Sequence, residues 1–141
     1  MFSNILIAAE LDYLDQAKHL ITTALEISQG NQDAVYRLAG IVSAPSNSIV
    51  SSFLPNNFDK VVLEEGKKKL SEFTQGLFPE GKKVQCIVAY GTVYEEINRL
   101  AEELDVDIII MMASRDHEKH GLSANTVKVA RLTHRPMLVM R

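Results

Sequence analysis

Short apolar runs and longer segments with helical spacing follow one another along the chain. The short runs are continuous, which is typical of strands buried on both faces of a parallel sheet. We predict five strands, at Ile5–Ala9, Ala34–Val42, Val84–Ala89, Asp107–Met112 and Met137–Met140.

A helix is predicted in each interval between these strands. Apolar residues over Leu14–Ile27 recur with a helical period, and Asp12 stands where a helix N-cap is expected. A second helix is predicted within Val61–Leu77. A third opens at Thr92–Glu95, whose spacing is that of a capping box, and a short fourth helix follows Thr126.

The alternation of strands and helices over residues 1–141 predicts one α/β domain, an open parallel sheet with helices on both faces. A ligand of such a sheet binds beyond the carboxyl ends of its strands. The segment Ala44–Asn57 contains two prolines and several serines and is predicted to be a loop. The sequence does not decide whether that loop covers the carboxyl edge.

Composition narrows the classes of partner. The net charge of −3 gives no general attraction to nucleic acid or to an anionic membrane, so neither is predicted as a partner. No apolar run approaches the ~20 residues of a membrane span. The amino-terminal residues enter a strand without a signal-peptide pattern, so we expect a cytoplasmic protein.

No constellation of catalytic residues accompanies the predicted sheet. A nucleophile elbow and a phosphate-loop motif are both missing, and Cys86, the only cysteine, has no evident histidine partner. His117 and His120 flank Glu118, but without a third ligand at a recognised spacing this pattern favours a solvated loop over a metal site. The sequence therefore predicts neither an enzyme nor a metal centre.

Five segments together resemble the universal stress protein family. They are Asn4–Ala9, Tyr90–Ile97, Asp105–Met112, Ala113–Asp116 and Arg135–Arg141. The resemblance extends over essentially the whole chain and is most specific in its carboxyl-terminal half. It implies a Rossmann-like sheet of strand order 3-2-1-4-5, with a crevice between the first and fourth strands.

The nucleotide-binding branch of that family has Gly-x-x-Gly, a nine-residue loop, and then Gly-Ser or Gly-Thr. The glycines let phosphates approach backbone N–H groups. Here the matching positions are Ala113 and Asp116, then Ser123 and Ala124, and the loop between them is shorter. At the end of the first strand the family has an aspartate followed by flexible residues, whereas this chain has Glu10-Leu11-Asp12.

The resemblance also implies where a nucleotide would lie. The base and ribose would contact Glu10 and residues near Ile41–Val42. The full set of candidate positions is Glu10, Asp12, Ile41, Val42, Ala113, Ser114, Arg115, Asp116, Ser123, Ala124, Asn125 and Thr126.

Carboxylates at the mouth of the implied crevice oppose a triphosphate. Glu10, Asp12 and Asp116 would lie near it, and two like charges ~5 Å apart repel by roughly 3 kcal/mol at an effective dielectric of ~20. Arg115 offers partial compensation, and a bound Mg²⁺ would reverse the argument. We therefore expect no cofactor, with ATP or AMP together with Mg²⁺ as the alternative.

The last strand, Met137-Leu138-Val139-Met140, would be an edge of the implied sheet. Exposed apolar edges pair with another chain unless they are protected. The family's solution is antiparallel pairing of this strand in a twofold dimer; the alternative is an edge covered by the chain's own loop.

The favoured hypothesis is a cytoplasmic homodimer with a protective or regulatory role under stress, exerted through an unidentified protein partner without binding ATP. The alternative is an ATP- or AMP-binding sensor or slow ATP hydrolase. An accessory domain beside a transporter is a third interpretation. The role in each case depends on family analogy, since a fold alone does not give function.

Overall fold

A computed structural model describes residues 2–43, 58–114 and 121–141 of the chain. Its five strands form one parallel sheet in the order β3-β2-β1-β4-β5, so the predicted fold class and strand order are confirmed. The strands are β1 (Asn4–Glu10), β2 (Val35–Ser43), β3 (Lys83–Gly91), β4 (Ile108–Met112) and β5 (Met137–Met140).

Helices cover both faces of the sheet. After β1 a 3₁₀ segment, Leu11–Gln16, leads into α1. The α-helices are α1 (Ala17–Ile27), α2 (Phe58–Thr74), α3 (Val93–Glu103) and α4 (Ala124–Leu132). Among the described residues no helix is both long and apolar enough to cross a membrane.

Two apolar cores lie on opposite faces of the sheet. One is built from β1, β2 and β4 residues packed with α1 and Leu70 of α2. The other joins the alternate residues of the same strands to α3 and to Val129 of α4. Because successive residues of a strand point to opposite faces, one continuous apolar run such as Ile5–Ala9 supplies both cores.

One predicted helix start is wrong, and one predicted capping interaction is not formed. Asp12 does not cap α1: it lies inside the 3₁₀ segment, and α1 begins five residues later at Ala17. The 3₁₀ segment buries both Leu11 and Leu14. In a helix capped at Asp12, Leu11 would lie outside the helix, before its cap. Thr92 does occupy the N-cap of α3, but its side chain accepts no capping hydrogen bond, so the predicted capping box is not formed.

At the amino end of the sheet, Asp107 ties the start of β1 to the start of β4. Its Oδ2 accepts hydrogen bonds from Ser3 N (2.9 Å), Ser3 Oγ (2.9 Å) and Asn4 N (2.8 Å). The Asn4 amide group adds hydrogen bonds to the carbonyl oxygens of Leu104 and Asp105. The hydrogen bond from the Ser3 backbone is the largest cause that lowers the pKa of the Asp107 carboxyl below its usual value.

Candidate functional site: a crevice between β1 and β4

A cavity of about 40 Å³ lies where the carboxyl ends of β1 and β4 diverge. The connections from these two strands leave in opposite directions across the sheet, which makes this point the switch point of the strand order. The described residues that line the cavity are Ala8, Ala9, Glu10, Tyr13, Gln16, Ala17, Leu20, Val93, Ile97, Met111, Met112, Ser114, Ser123, Asn125 and Thr126.

The structure brings part of the predicted set together. Five of the candidate positions line the cavity: Glu10, Ser114, Ser123, Asn125 and Thr126. Glu10 is the last residue of β1, and the other four lie between the end of β4 and the first turn of α4.

Other candidate positions lie away from the cavity. Asp12 lines a separate, shallow groove of about 400 Å³ that Lys69 of α2 also borders. Ile41 is buried in the core under α3 and α4, and Val42 packs on the opposite face. Ala113 is buried just after β4, and Ala124 is exposed at the first turn of α4.

The predictions for Arg115 and Asp116 fall outside the described residues, as does the loop 44–57. The same is true of the His117–His120 pattern. Within the described ranges no cluster of histidine, cysteine or acidic residues could hold a metal ion.

Hydroxyl groups on the β4 side of the crevice are bonded to the protein itself. Thr126 Oγ1 donates its only proton to the carbonyl oxygen of Met112 (2.9 Å), because a carbonyl can only accept. Thr126 Oγ1 also lies 2.8 Å from Ser123 Oγ, so Ser123 must donate that hydrogen bond. Ser123 Oγ in turn accepts the N–H of Thr126 (3.2 Å). The hydroxyl protons of Ser123 and Thr126 are therefore both used.

Backbone hydrogen bonds hold the same turn against the sheet. The Ser123 N–H donates to the Ala113 carbonyl oxygen (2.7 Å), and the Ala113 N–H donates to Met140 in β5 (2.6 Å). Ser123 is the N-cap of α4, and Thr126 is fully buried below it. The polar groups that the sequence assigned to phosphate binding thus serve as a helix cap and a strand-to-helix anchor.

On the β1 side, Leu11 fills a slot formed by two glycines. A Cβ atom added to Gly40 of β2 would lie 2.9 Å from Leu11 Cγ and Cδ2. One added to Gly66 of α2 would lie 3.0 Å from Leu11 Cδ1 and 2.8 Å from Val88 Cγ1. Leu11 is only 4% exposed. Where the family has a flexible residue, this chain has a leucine held by close packing.

One carboxylate lies among the described lining residues of the crevice. Glu10 is the only ionisable acid or base among them apart from the Tyr13 phenol, and no lysine or arginine is among them. Glu10 is itself engaged in an interaction within the protein.

Sequence reasoning missed Tyr13 and Gln16, which both line the cavity. Both residues lie in the 3₁₀ segment that follows β1 directly, where the sequence predicts a regular helix capped at Asp12. Tyr13 has non-helical angles within this segment (φ −133°, ψ 42°). Gly66, an isolated glycine in a helical pattern, was the available signal that another element approaches closely at this end.

Comparison with known proteins identifies the family. The model of the universal stress protein family matches residues 1–141, the full sequence. The chain belongs to the universal stress protein family. Universal stress protein G of Escherichia coli O157:H7 is 23% identical over 145 residues, which covers all of both chains. Universal stress protein MJ0577 of Methanocaldococcus jannaschii is 33% identical over 100 residues, or 67% of this chain and 59% of that protein.

Solved structures of universal stress proteins share the fold. The MJ0577 structure superposes with a TM-score of 0.77 and 25% identity, covering 99% of this chain and 96% of that one. A universal stress protein solved in complex with cAMP has a TM-score of 0.69 and 16% identity, covering 99% and 97%. The Archaeoglobus fulgidus protein solved in complex with dAMP has a TM-score of 0.66 and 13% identity, covering 100% and 98%.

Proposed function

We propose that this universal stress protein works as a cytoplasmic homodimer with a regulatory role in the stress response, exerted through protein contacts, and that its crevice does not hold ATP. The protein partner is unidentified. Nucleic acid and membrane are not expected among the partners, because the net charge is −3.

The Ser123–Thr126 hydrogen bonds are the observation that carries this proposal. A phosphate group accepts hydrogen bonds and needs donors in the wall that holds it. The hydroxyl protons of Ser123 and Thr126 already go to protein oxygens. Redirecting them to a phosphate would leave Thr126 Oγ1 and the Met112 carbonyl oxygen without their donors, at a cost of about 1–3 kcal/mol for a buried group.

Cavity size supports the same conclusion. Ligand pockets generally measure ~300–1,000 Å³, whereas this cavity is about 40 Å³. A triphosphate would need a wider opening.

The dimer part of the proposal depends on β5. In the described part of the chain, β5 pairs only with β4, so its second edge faces outward. Its four residues are apolar and each is only partly buried. A second copy of the same strand would satisfy the open backbone groups and cover the apolar side chains.

Ligand binding and assembly are tested on one preparation. Isothermal titration with ATP and AMP, each with and without Mg²⁺, is expected to give no binding at millimolar ligand. Light scattering after gel filtration is expected to give the mass of a dimer at micromolar concentration. The Archaeoglobus fulgidus protein that was solved with dAMP serves as the positive control for titration.

Two results would contradict the proposal. Mass spectrometry of ligand released from freshly purified protein could find an adenosine polyphosphate in stoichiometric amount, which would overturn the ATP part. A monomer by light scattering would overturn the dimer part without bearing on the crevice.

Nucleotide sensing is the second candidate function. It is favoured by the position of the cavity at the switch point of the sheet and by relatives of the same fold solved with cAMP and dAMP. In this case Glu10 would contact base and ribose, Asn125 would lie at the phosphates, and ATP or AMP would bind with Mg²⁺. Dissociation constants in the low micromolar range for AMP or cAMP would favour this candidate; slow release of phosphate from ATP would extend it to hydrolysis.

A further inference from the structure

The backbone of β5 shows which of its polar groups remain for a partner. The carbonyl oxygens of Pro136 and Met140 accept hydrogen bonds from Ile109 and Ala113, on the β4 side. In a strand, the N–H and C=O of one residue point to the same side and alternate from residue to residue. Residues 136, 138 and 140 therefore face β4, and the backbone groups of Met137, Val139 and Arg141 face the open edge.

Twofold symmetry restricts how two copies of this edge can pair. An antiparallel pair of identical strands in one sheet has its axis normal to the sheet, so each face stays on its own side. Residues that lie opposite each other must point to the same face. One residue must then lie opposite its own copy. In β5 the two central residues are Leu138 and Val139, and centring on either of them pairs the most residues.

We propose that the homodimer is centred on Val139. Val139 then forms a mutual hydrogen-bonded pair with the partner's Val139, and Met137 pairs in the same way with the partner's Arg141. All three outward-facing residues of each strand are paired. Centring on Leu138 would leave Arg141 opposite the partner's Arg135, whose N–H already donates to Thr133 Oγ1. This inference rests on the homodimer of the proposed function and specifies its register.

In this register, an acidic cluster formed by Glu102 and Asp105 around Arg135 contacts the second copy of the chain. Arg135 donates to Asp105 Oδ1 (2.6 Å) and to Glu102 Oε2 (3.0 Å), so two carboxylates share one guanidinium. The Asp105 side chain remains 86% exposed. This cluster lies at the amino end of the sheet, where β5 begins.

Arg141 of the partner would reach that cluster. It would stand opposite Met137, whose side chain packs on the face covered by α3 and α4. Asp105 and Glu102 lie at the end of α3 on this face, and α4 ends there at Leu132. A cation next to these carboxylates and next to a helix carboxyl terminus is favourable. Leu132, which is 56% exposed in one chain, would lie under the partner.

Single-cysteine cross-linking tests the register. In a Cys86→Ser background, Val139→Cys is expected to form an intermolecular disulfide under mild oxidation, because a hydrogen-bonded antiparallel pair has Cα atoms ~5.5 Å apart, within disulfide range. Leu138→Cys is expected to form little disulfide, since in this register residue 138 lies opposite the partner's Met140 and diagonally from its own copy. Cross-linking of Leu138→Cys in place of Val139→Cys would overturn the register.

Charge variants test the role of Arg141. Arg141→Glu is expected to raise the dimer dissociation constant about tenfold in analytical ultracentrifugation, an effect that diminishes in high salt. Arg141→Lys should stay within about threefold of wild type, and Lys18→Glu, an exposed reversal on α1, should have no effect. An unchanged constant for Arg141→Glu would overturn the assigned contact.

The outcomes separate this inference from the proposed function. A wild-type monomer overturns the homodimer and, with it, the register. A wild-type dimer in which neither single cysteine cross-links overturns the register and leaves the homodimer standing.

Discussion

At the amino end of the sheet, a charged group joins β1 to β4, whereas at the carboxyl end the connections are held by apolar packing and neutral hydroxyls. Asp107 accepts three hydrogen bonds from Ser3 and Asn4. At the opposite end, Leu11 lies between two glycines and Thr126 anchors α4 to Met112.

The difference bears on function because ligands of parallel α/β sheets bind at the carboxyl end. In this chain Leu11 is packed between two glycines next to that end, and the hydroxyl protons of Ser123 and Thr126 are already bonded to protein oxygens. The Asp107 carboxylate lies at the opposite end of the sheet. The two ends should therefore respond differently to substitution and to pH.

Leu11→Ala should produce the largest loss of stability. The side chain is buried and in contact range of both glycine positions, so its truncation leaves a cavity that the backbone on either side fills poorly. We expect a loss of about 3 kcal/mol in the free energy of unfolding by urea denaturation. Leu122→Ala is the matched control, because that leucine is 47% exposed and should cost less than about 0.5 kcal/mol. Equal losses for the two leucines would contradict the slot.

Gly40→Ala should cost about 2 kcal/mol, because its new Cβ would lie 2.9 Å from Leu11. In a Leu11→Ala background this cost should largely disappear, since the clashing atoms have been removed. Gly66→Ala supplies the control: its Cβ would lie 2.8 Å from Val88 Cγ1, so it should stay costly in the same background. Additive effects of Leu11→Ala and Gly40→Ala would show that the two residues do not share one slot.

Thr126→Val should lower the free energy of unfolding by about 1.5 kcal/mol. The replacement keeps the shape but leaves the Met112 carbonyl oxygen without its donor and Ser123 Oγ without its acceptor. Thr126→Ser, which keeps the hydroxyl, should retain most of the stability in urea denaturation. Thr22→Val is the control for the same replacement on an exposed helix position and should change little. If the serine variant lost as much as the valine variant, the methyl group would be the stabilising part.

The fold could be predicted almost entirely from the sequence. Parallel strands buried on both faces leave continuous apolar runs, and those at Ile5–Ala9 and Met137–Met140 match the observed strands to within a residue at each end. The start of α1 could not be placed, because Asp12 satisfies the local preference for a cap. The burial of Leu11 and Leu14 in a tight 3₁₀ segment overrides that preference, and it depends on contacts distant in sequence.

The sequence placed some of the candidate residues at one crevice, but it could not predict their hydrogen bonds. The resemblance placed Glu10, Ser123 and Thr126 at one crevice, and the structure brings them together there. It could not indicate that the two hydroxyl protons are already used, because that depends on the distance from Thr126 to Met112. Nor could it show that Leu11 is accommodated by Gly40 and Gly66, which lie 29 and 55 residues away in the sequence.

Asp107→Asn should have the smallest effect on the free energy of unfolding, and it should be the only one of these variants whose effect depends on pH. Hydrogen bonds from Ser3 and Asn4 lower the pKa of the folded carboxyl below the ~3.9 of an unfolded aspartate. A lowered folded pKa contributes stability above the unfolded pKa and loses it as the pH falls through the folded pKa. We expect wild type to exceed the variant by about 1 kcal/mol at pH 7, with the difference shrinking below pH ~4 in urea denaturation series. Asp33→Asn, at a side chain that is 93% exposed, should match wild type throughout.

The deficits of Leu11→Ala and Thr126→Val should stay constant over the same range, because neither change removes an ionisable group. A pH-dependent deficit for Thr126→Val would contradict the assignment of neutral chemistry to the carboxyl end.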